Sequence, residues 1–150
     1  MRKTITATFV ILSLVSCGLS ANKEKAEGVT KQFYDAIKQK KFSDAAGLVH
    51  ERGLAESPKK KWVGLFKKVR KSAGKLKSYT VDSWGFNTST SKGTTITFQI
   101  TAHYSKKSWG EKLVLLSLPG EEDMKILGYF INTKKKKKKE SNVDKNLKNI

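Results

Sequence analysis

The chain has 150 residues, of which 31 are Lys or Arg and 13 are Asp or Glu, giving a formal net charge of +18 at neutral pH. This length suits one domain with a single core, and the single cysteine excludes a disulfide within the chain. Only Arg2, Arg52 and Arg70 are arginine, so the charge favours anionic surfaces over sequence-specific reading of nucleic acid, which prefers guanidinium groups. Composition bias from AT-rich coding sequence is the alternative explanation of the lysine excess.

The first 16 residues have the features of a secretory signal peptide. Residues 1–3 include two basic side chains, residues 5–15 are mostly apolar, and the small residue Ser16 precedes Cys17. The apolar run is too short to span a membrane, which takes about 20 residues. We therefore expect residues 1–16 to be removed from the mature protein.

The stretch Leu14-Val15-Ser16-Cys17-Gly18 resembles the lipobox of bacterial lipoproteins. The resemblance implies cleavage between Ser16 and Cys17, a diacylglyceryl group on the Cys17 sulfur and an acyl group on the new amino terminus. It implies no other cofactor, and it places the protein in the cell envelope, anchored to a membrane by lipid. Gly18 stands where Asp favours the inner membrane of Gram-negative cells, so the outer membrane is expected there. An ordinary secreted protein with a cysteine in its leader is the alternative.

Two helices are predicted to open the domain, which we expect to span residues 26–133. Residues 17–25 are small and polar and are predicted to form a lipidated tether. From Ala26 the apolar residues Val29, Phe33 and Ile37 recur every four positions, which indicates a helix. A second, shorter helix is predicted from residue 42 to near residue 53.

A third helix is predicted to start at Ser57-Pro58, where serine can cap and proline suits the first turn. Its apolar stripe runs from Trp62 to Ala73, and every charged residue on the rest of its surface is basic. Lys60, Lys67 and Lys71 are therefore candidate contacts to an anionic surface. The alternative is that these lysines are only the solvated side of a core helix.

Four strands are predicted after residue 74, at 76–87, 96–104, 111–118 and 124–132. The second has the clearest pattern, because large apolar residues alternate with polar ones from Ile96 to Tyr104. Short intervening segments rich in turn formers predict an antiparallel meander. Helices followed by strands predict an α+β fold, with the helices packed on a curved four-stranded sheet.

This order of elements resembles the ketosteroid-isomerase-like or nuclear-transport-factor-like (cystatin-like) superfamily. The segments Phe33-Tyr34-Asp35-Ala36-Ile37, Gly74-Lys75-Leu76-Lys77-Ser78-Tyr79 and Lys125-Ile126-Leu127-Gly128-Tyr129 are similar to small exported bacterial proteins of that superfamily. The resemblance implies a cone-shaped domain with a cavity between helix and sheet. Dimers through the outer sheet face are common in the superfamily, so it also implies a homodimer as one candidate assembly.

No catalytic motif of the superfamily matches a position here, so no catalytic residue is assigned. Residue type and position give these candidates for lining a cavity or binding a ligand: Tyr79, Asp82, Trp84, Tyr104 and Tyr129. Two isolated histidines and one cysteine predict no metal site. His103 falls on the polar side of its strand and is expected on the outer face of the sheet.

Residues 134–150 are predicted to form a disordered polybasic tail. Its candidate contacts to an anionic surface are Lys134, Lys135, Lys136, Lys137, Lys138 and Lys139. Taken together, the sequence predicts a lipid-anchored envelope protein whose domain is a non-enzymatic binding module. The alternatives are a small-molecule enzyme that uses the cone cavity and a protein that coats anionic lipid or polymer through its lysines.

Overall fold

The computed structural model describes residues 14–132, which form four helices followed by a four-stranded antiparallel sheet. The elements are α1 (Leu14–Lys38), α2 (Phe42–Gly47), α3 (Glu51–Glu56), α4 (Lys59–Ala73), β1 (Leu76–Ser89), β2 (Gly93–Tyr104), β3 (Ser108–Ser117) and β4 (Lys125–Asn132). The chain is therefore α+β, as the sequence predicts.

The strands form the predicted meander, in the order β1-β2-β3-β4. Directly opposed residues such as Phe98 and Leu113 share one face of the sheet, and both are fully buried. The first hairpin depends on Gly93, whose φ of 81° favours glycine; a Cβ there would lie 2.1 Å from the carbonyl oxygen of Ser117. The polar residues of β2, including His103, lie on the other face, as predicted.

Helix α1 packs against the apolar face of the sheet. Its buried residues Thr30, Phe33 and Ile37 recur at helical spacing. The Phe33 ring centroid is 5.4 Å from that of Phe66 in α4 and 5.4 Å from that of Tyr129 in β4. These three rings join two helices to the sheet at the centre of the core.

The sheet has two ends with different neighbours. We call the end with the turns 90–92 and 118–124 the hairpin end, and the end with the turn 105–107 and the last residue of β4 the tail end. The part of α1 around Lys25 lies at the hairpin end, where Lys25 Nζ donates to the carbonyl oxygen of Glu122, and Lys23 Nζ is 5.4 Å from the ring centroid of Trp84 in the middle of β1. The last turn of α4 lies at the tail end, where Lys106 N donates to the carbonyl oxygen of Ala73.

The helices differ from the sequence predictions in three places. Ser57, predicted to cap the third helix, instead ends α3, and α4 begins at Lys59 after Pro58 without a side-chain cap. Helix α1 begins at Leu14, so residues 18–25, predicted as a tether, are helical; a run of helix-favouring residues and an ion pair between Lys23 and Glu27 support this extension. The predicted second helix is divided into α2 and α3, because Val49 forms a parallel bridge with Ile126 of β4.

The leader up to residue 13 and the tail from residue 134 lie outside the described residues. The backbone of Cys17 lies in the first turn of α1. The four strands are confirmed, with bounds that differ from the predicted ones by a few residues.

Candidate functional site

The centre of the fold holds a buried carboxyl group, that of Glu111. Glu111 alternates with Leu113 on β3 and therefore faces the core, where it is 2% exposed. Tyr34 Oη donates to its Oε2 at 2.6 Å, Tyr104 Oη donates to its Oε1 at 2.8 Å, and Trp109 Nε1 donates to Oε1 at 3.0 Å. We call Tyr34, Tyr104, Trp109, Glu111 and Tyr129 the Glu111 cluster.

Burial dominates the electrostatics of this cluster. It raises the pKa of the Glu111 carboxyl, while hydrogen bonds from Tyr34, Tyr104, Tyr129 and Trp109 oppose that shift. Burial, reinforced by the charge of Glu111, also raises the pKa of Tyr34 and Tyr129 well above the ordinary tyrosine value. The tyrosine hydroxyls therefore keep their protons at neutral pH and remain available as donors to the carboxyl group.

The cluster links α1, β2, β3 and β4 through one side chain. Buried polar groups are costly unless they are hydrogen-bonded, and here both carboxyl oxygens have protein donors. Tyr104 and Tyr129 are also buried, at 7% and 8% exposed. The arrangement can position four elements relative to one another and can hold a proton, but a substrate would have to displace protein donors to reach Glu111.

The structure brings together only some of the residues predicted to line a cavity. Tyr104 and Tyr129 join the Glu111 cluster, and Tyr79 stacks on Tyr34 with ring centroids 4.2 Å apart. Asp82 instead accepts a hydrogen bond from Thr101 Oγ1 and is exposed. Trp84 is 40% exposed in the middle of β1, beside Lys23 of α1. A shared site that includes Asp82 and Trp84 is therefore not formed.

Sequence reasoning missed Glu111 and Tyr34. The signal for Glu111 was its period-two spacing from Leu113 and Leu115, which places it on the buried face of β3. Trp109 packs edge to face on Tyr104 with ring centroids 5.7 Å apart.

A second candidate site is the cationic surface of α4. Trp62, Phe66, Val69 and Ala73 are buried, as predicted, and Lys60, Lys67 and Lys71 are exposed. At 100° per residue, the three lysines fall within about 40° of one direction, on the side opposite the buried stripe.

The turn at the tail end adds two cations to this surface. Lys106 Nζ donates to the carbonyl oxygen of Lys71, and Lys107 Nζ donates to Ser72 Oγ at 3.1 Å. We call Lys60, Lys67, Lys71, Lys106 and Lys107 the basic surface.

Two clefts lie beside the helices. One, of about 420 Å³, lies between α1, the end of α2 and the start of β4. The other, of about 290 Å³, lies between α3, α4 and β4 and is lined by Trp62, whose buried Nε1 has no hydrogen-bond acceptor among the described residues. Glu111 lines neither cleft.

Within residues 14–132, no group of three or more His, Cys, Asp or Glu side chains is placed to hold a metal ion. In the same range, no helix combines the length and apolarity needed to cross a membrane. No protein-family model matches the chain, and no curated protein sequence matches it.

Proposed function

We propose that this protein is a lipid-anchored binding module of the bacterial cell envelope, which holds an anionic envelope polymer on its basic surface. In this proposal Cys17 carries the lipid, the domain belongs to the nuclear-transport-factor-like superfamily, and no step of catalysis is involved. The order of helices and antiparallel strands supports the superfamily assignment. The lipobox-like residues before Gly18 support the anchor, with the outer membrane as its place in a Gram-negative cell.

The observation that carries the binding proposal is the one-sided charge of α4. Its apolar side is occupied by the core, whereas its exposed charged residues are all basic. Like charges on one helix face repel one another and cost stability, so an anionic partner would relieve that repulsion. Lysine ammonium groups act as point charges and suit a polymer of repeating anions without a fixed geometry.

The position of the basic surface also favours a polymer over the membrane that holds the anchor. Cys17 precedes Lys25, which contacts Glu122 at the hairpin end, by eight positions in α1, whereas Lys71 and Lys106 are at the tail end. The described chain ends at Asn132, opposite Gly110 near the tail end, and the sequence continues there into Lys134. The last described residue of β4 therefore lies at the end of the sheet away from the contact of Lys25 with Glu122, and in this proposal the lysines of the polybasic tail bind the same polymer.

A small-molecule enzyme is the second candidate, and the Glu111 cluster is the observation that favours it. A buried carboxyl group with a raised pKa beside tyrosine hydroxyls is a suitable general acid or base. Against this, Glu111 is 2% exposed and both of its oxygens are hydrogen-bonded to protein donors. The cluster is better suited to holding the core elements together.

The test measures the affinity of the acylated, full-length protein for polyglycerol phosphate of defined length. The protein is held in detergent micelles and the polymer is in solution. The triple variant Lys60→Gln, Lys67→Gln and Lys71→Gln removes the central stripe of the basic surface. Each lysine near an anionic surface contributes about 1 kcal/mol, so we expect affinity to fall roughly a hundredfold at low salt. Salt should weaken the wild type far more than the variant.

The matched control is the variant Lys41→Gln, Lys92→Gln and Lys125→Gln, which removes the same charge from exposed positions elsewhere. We expect it to retain most of the affinity. Equal losses in the two variants would show a response to net charge alone and would contradict a binding surface on α4. Absence of acyl groups on Cys17 in the purified protein would contradict the anchor.

A further inference from the structure

Three apolar side chains of β1 lie uncovered along the middle of the strand and towards the hairpin end. Val81 is 38% exposed, Trp84 is 40% exposed and Phe86 is 53% exposed. They pair with Ile100, Phe98 and Ile96, which are buried, so they lie on the core-facing side of the sheet. We call Val81, Trp84 and Phe86 the β1 apolar patch.

The patch lies next to the start of α1. Lys23 Nζ lies over the Trp84 ring, at 5.4 Å from its centroid, and the ring centroids of Trp84 and Phe86 are 6.1 Å apart. Cys17 precedes Lys23 by six positions in the same helix, which is a rise of about 9 Å. The patch therefore lies beside the same helix that contains Cys17, whose acyl chains are expected close to it.

We propose that the β1 apolar patch docks onto the bilayer into which the acyl chains of Cys17 insert. This inference rests on the anchor in the proposed function. Tryptophan rings favour the boundary between headgroups and hydrocarbon, and Lys23 can lay its stem along the ring while its ammonium group reaches the headgroups. The patch fixes which end of the domain faces the membrane.

The charges around the patch indicate that docking is apolar in origin. Lys23 is paired with Glu27, and Glu122 and Asp123 lie in the nearby turn 118–124. Lys25 and Lys92 are matched in number by these two carboxylates, so this end has no excess of positive charge to attract anionic lipid. Docking should therefore occur on zwitterionic lipid and should resist salt, unlike binding at the basic surface.

A second copy of the chain fits the patch less well. With 150–250 Å² for each aromatic side chain, the exposed parts of the three residues amount to roughly 300 Å². A stable protein interface buries about 800 Å² on each partner. A bilayer has no such minimum, because the acyl chains already hold the domain beside it.

The experiment uses the full-length protein after acylation and processing in a bacterial host, reconstituted into vesicles of phosphatidylcholine brominated on its acyl chains. Bromine quenches tryptophan emission at close range. Trp62 is buried and Trp109 is half-buried near the tail end, so quenching should come from Trp84. We expect quenching that disappears in Trp84→Phe and is unchanged in high salt.

Phe86→Ser is the test variant, and Phe130→Ser is its control. Both rings are 53% exposed, but Phe130 lies on β4, away from the patch. Loss of one half-exposed ring should lower the ratio of docked to undocked protein roughly fivefold, so Phe86→Ser should quench less and Phe130→Ser should match the wild type.

The outcomes separate the two proposals. Vesicle-bound protein whose Trp84 is not quenched overturns the docking alone, because the anchor is then intact. Equal quenching in Phe86→Ser and Phe130→Ser also overturns it. Protein without acyl groups on Cys17 overturns the anchor and the docking together.

Discussion

Glu111 carries the buried carboxyl group of the core. A carboxyl group in an apolar core costs free energy through lost hydration, and hydrogen bonds from the Glu111 cluster offset part of that cost. The remaining cost appears as a raised pKa. The folded protein therefore binds the Glu111 proton more tightly than the unfolded chain does.

This raised pKa predicts a specific dependence of stability on pH. The proton of Glu111 stabilises the native state fully below the unfolded pKa of about 4.3, and this contribution is lost as the pH rises through the folded pKa. Glu111→Gln carries no titrating proton, so the corresponding fall in the free energy of unfolding should be absent. Urea unfolding from pH 4 upward measures it. Glu122→Gln, a substitution at an exposed position, is the control and should show the same fall in the free energy of unfolding as the wild type. A fall of wild-type size in Glu111→Gln would contradict Glu111 as the titrating group.

Tyr34 is predicted to contribute through its hydroxyl as well as its ring. Tyr34→Phe keeps the aromatic contacts and removes the 2.6 Å hydrogen bond to Glu111. Removing one partner of a buried hydrogen bond leaves the other unsatisfied and costs about 1–3 kcal/mol, so the free energy of unfolding should fall by that amount. Urea denaturation measures it.

Tyr79→Phe is the matched control for that change. The Tyr79 ring stacks on Tyr34, but Glu111 has no hydrogen bond from its hydroxyl. We expect a change below about 0.5 kcal/mol. Equal effects of the two substitutions would mean that the hydroxyl of Tyr34 adds nothing to the cluster.

At the scale of elements, the short helix α3 is fixed by its close approach to β4. A Cβ on Gly53 would lie 2.8 Å from the carbonyl oxygen of Leu127, a backbone atom that cannot move without disturbing the strand. Gly53→Ala should therefore lower the free energy of unfolding by about 1–3 kcal/mol.

Gly64→Ala in α4 provides the comparison, because nothing lies within 4 Å of a Cβ there. Alanine favours a helix by about 1 kcal/mol over glycine, so this substitution should stabilise the protein. Thermal melts of both variants show whether each substitution raises or lowers the stability. Stabilisation by Gly53→Ala would contradict the close packing of α3 on β4.

Local sequence patterns predicted the strands and α4 because each pattern has a local cause. The alternation of apolar and polar residues on β2 and the apolar stripe on α4 each arise from one buried face. Both patterns can be recognised within about a dozen residues of sequence. The division between α2 and α3 has a distant cause. His50 N donates to the carbonyl oxygen of Ile126 at 2.8 Å, and Ile126 N donates to that of Leu48 at 2.9 Å. These hydrogen bonds to β4 end α2 before α3 begins. No residue close in sequence indicates that they form.

The Glu111 cluster was only partly predictable for the same reason. Tyr104 and Tyr129 could be placed on strands and suspected of facing inward. Tyr34 is 77 positions from Glu111, and its role depends on how α1 crosses the sheet. A glutamate next to a lysine in a strand also suggests an exposed position, and only the spacing from Leu113 contradicts that.

At the scale of the whole molecule, the two ends of the sheet have different surfaces. The part of α1 around Lys25 is at the hairpin end, and Lys71, Lys106 and Lys107 of the basic surface are at the tail end. The twelve residues of β2 run between these two ends, which is about 40 Å at the rise of a strand. An anchor at one end would therefore hold the cationic end well away from the bilayer.

Single cysteines can measure this orientation, because Cys17 is the only natural cysteine and a thioether would make it unreactive. Ser91→Cys lies in the hairpin-end turn 90–92 and Lys106→Cys in the tail-end turn, and both positions are exposed. A dye on each thiol of the acylated protein should transfer energy to an acceptor lipid strongly from position 91 and weakly from position 106. Labelling of the wild type would show a free thiol at Cys17. Equal transfer from both positions would mean that the domain lies flat, and the basic surface would then face the membrane of its own anchor, so that an anionic polymer held at a distance could not be its partner.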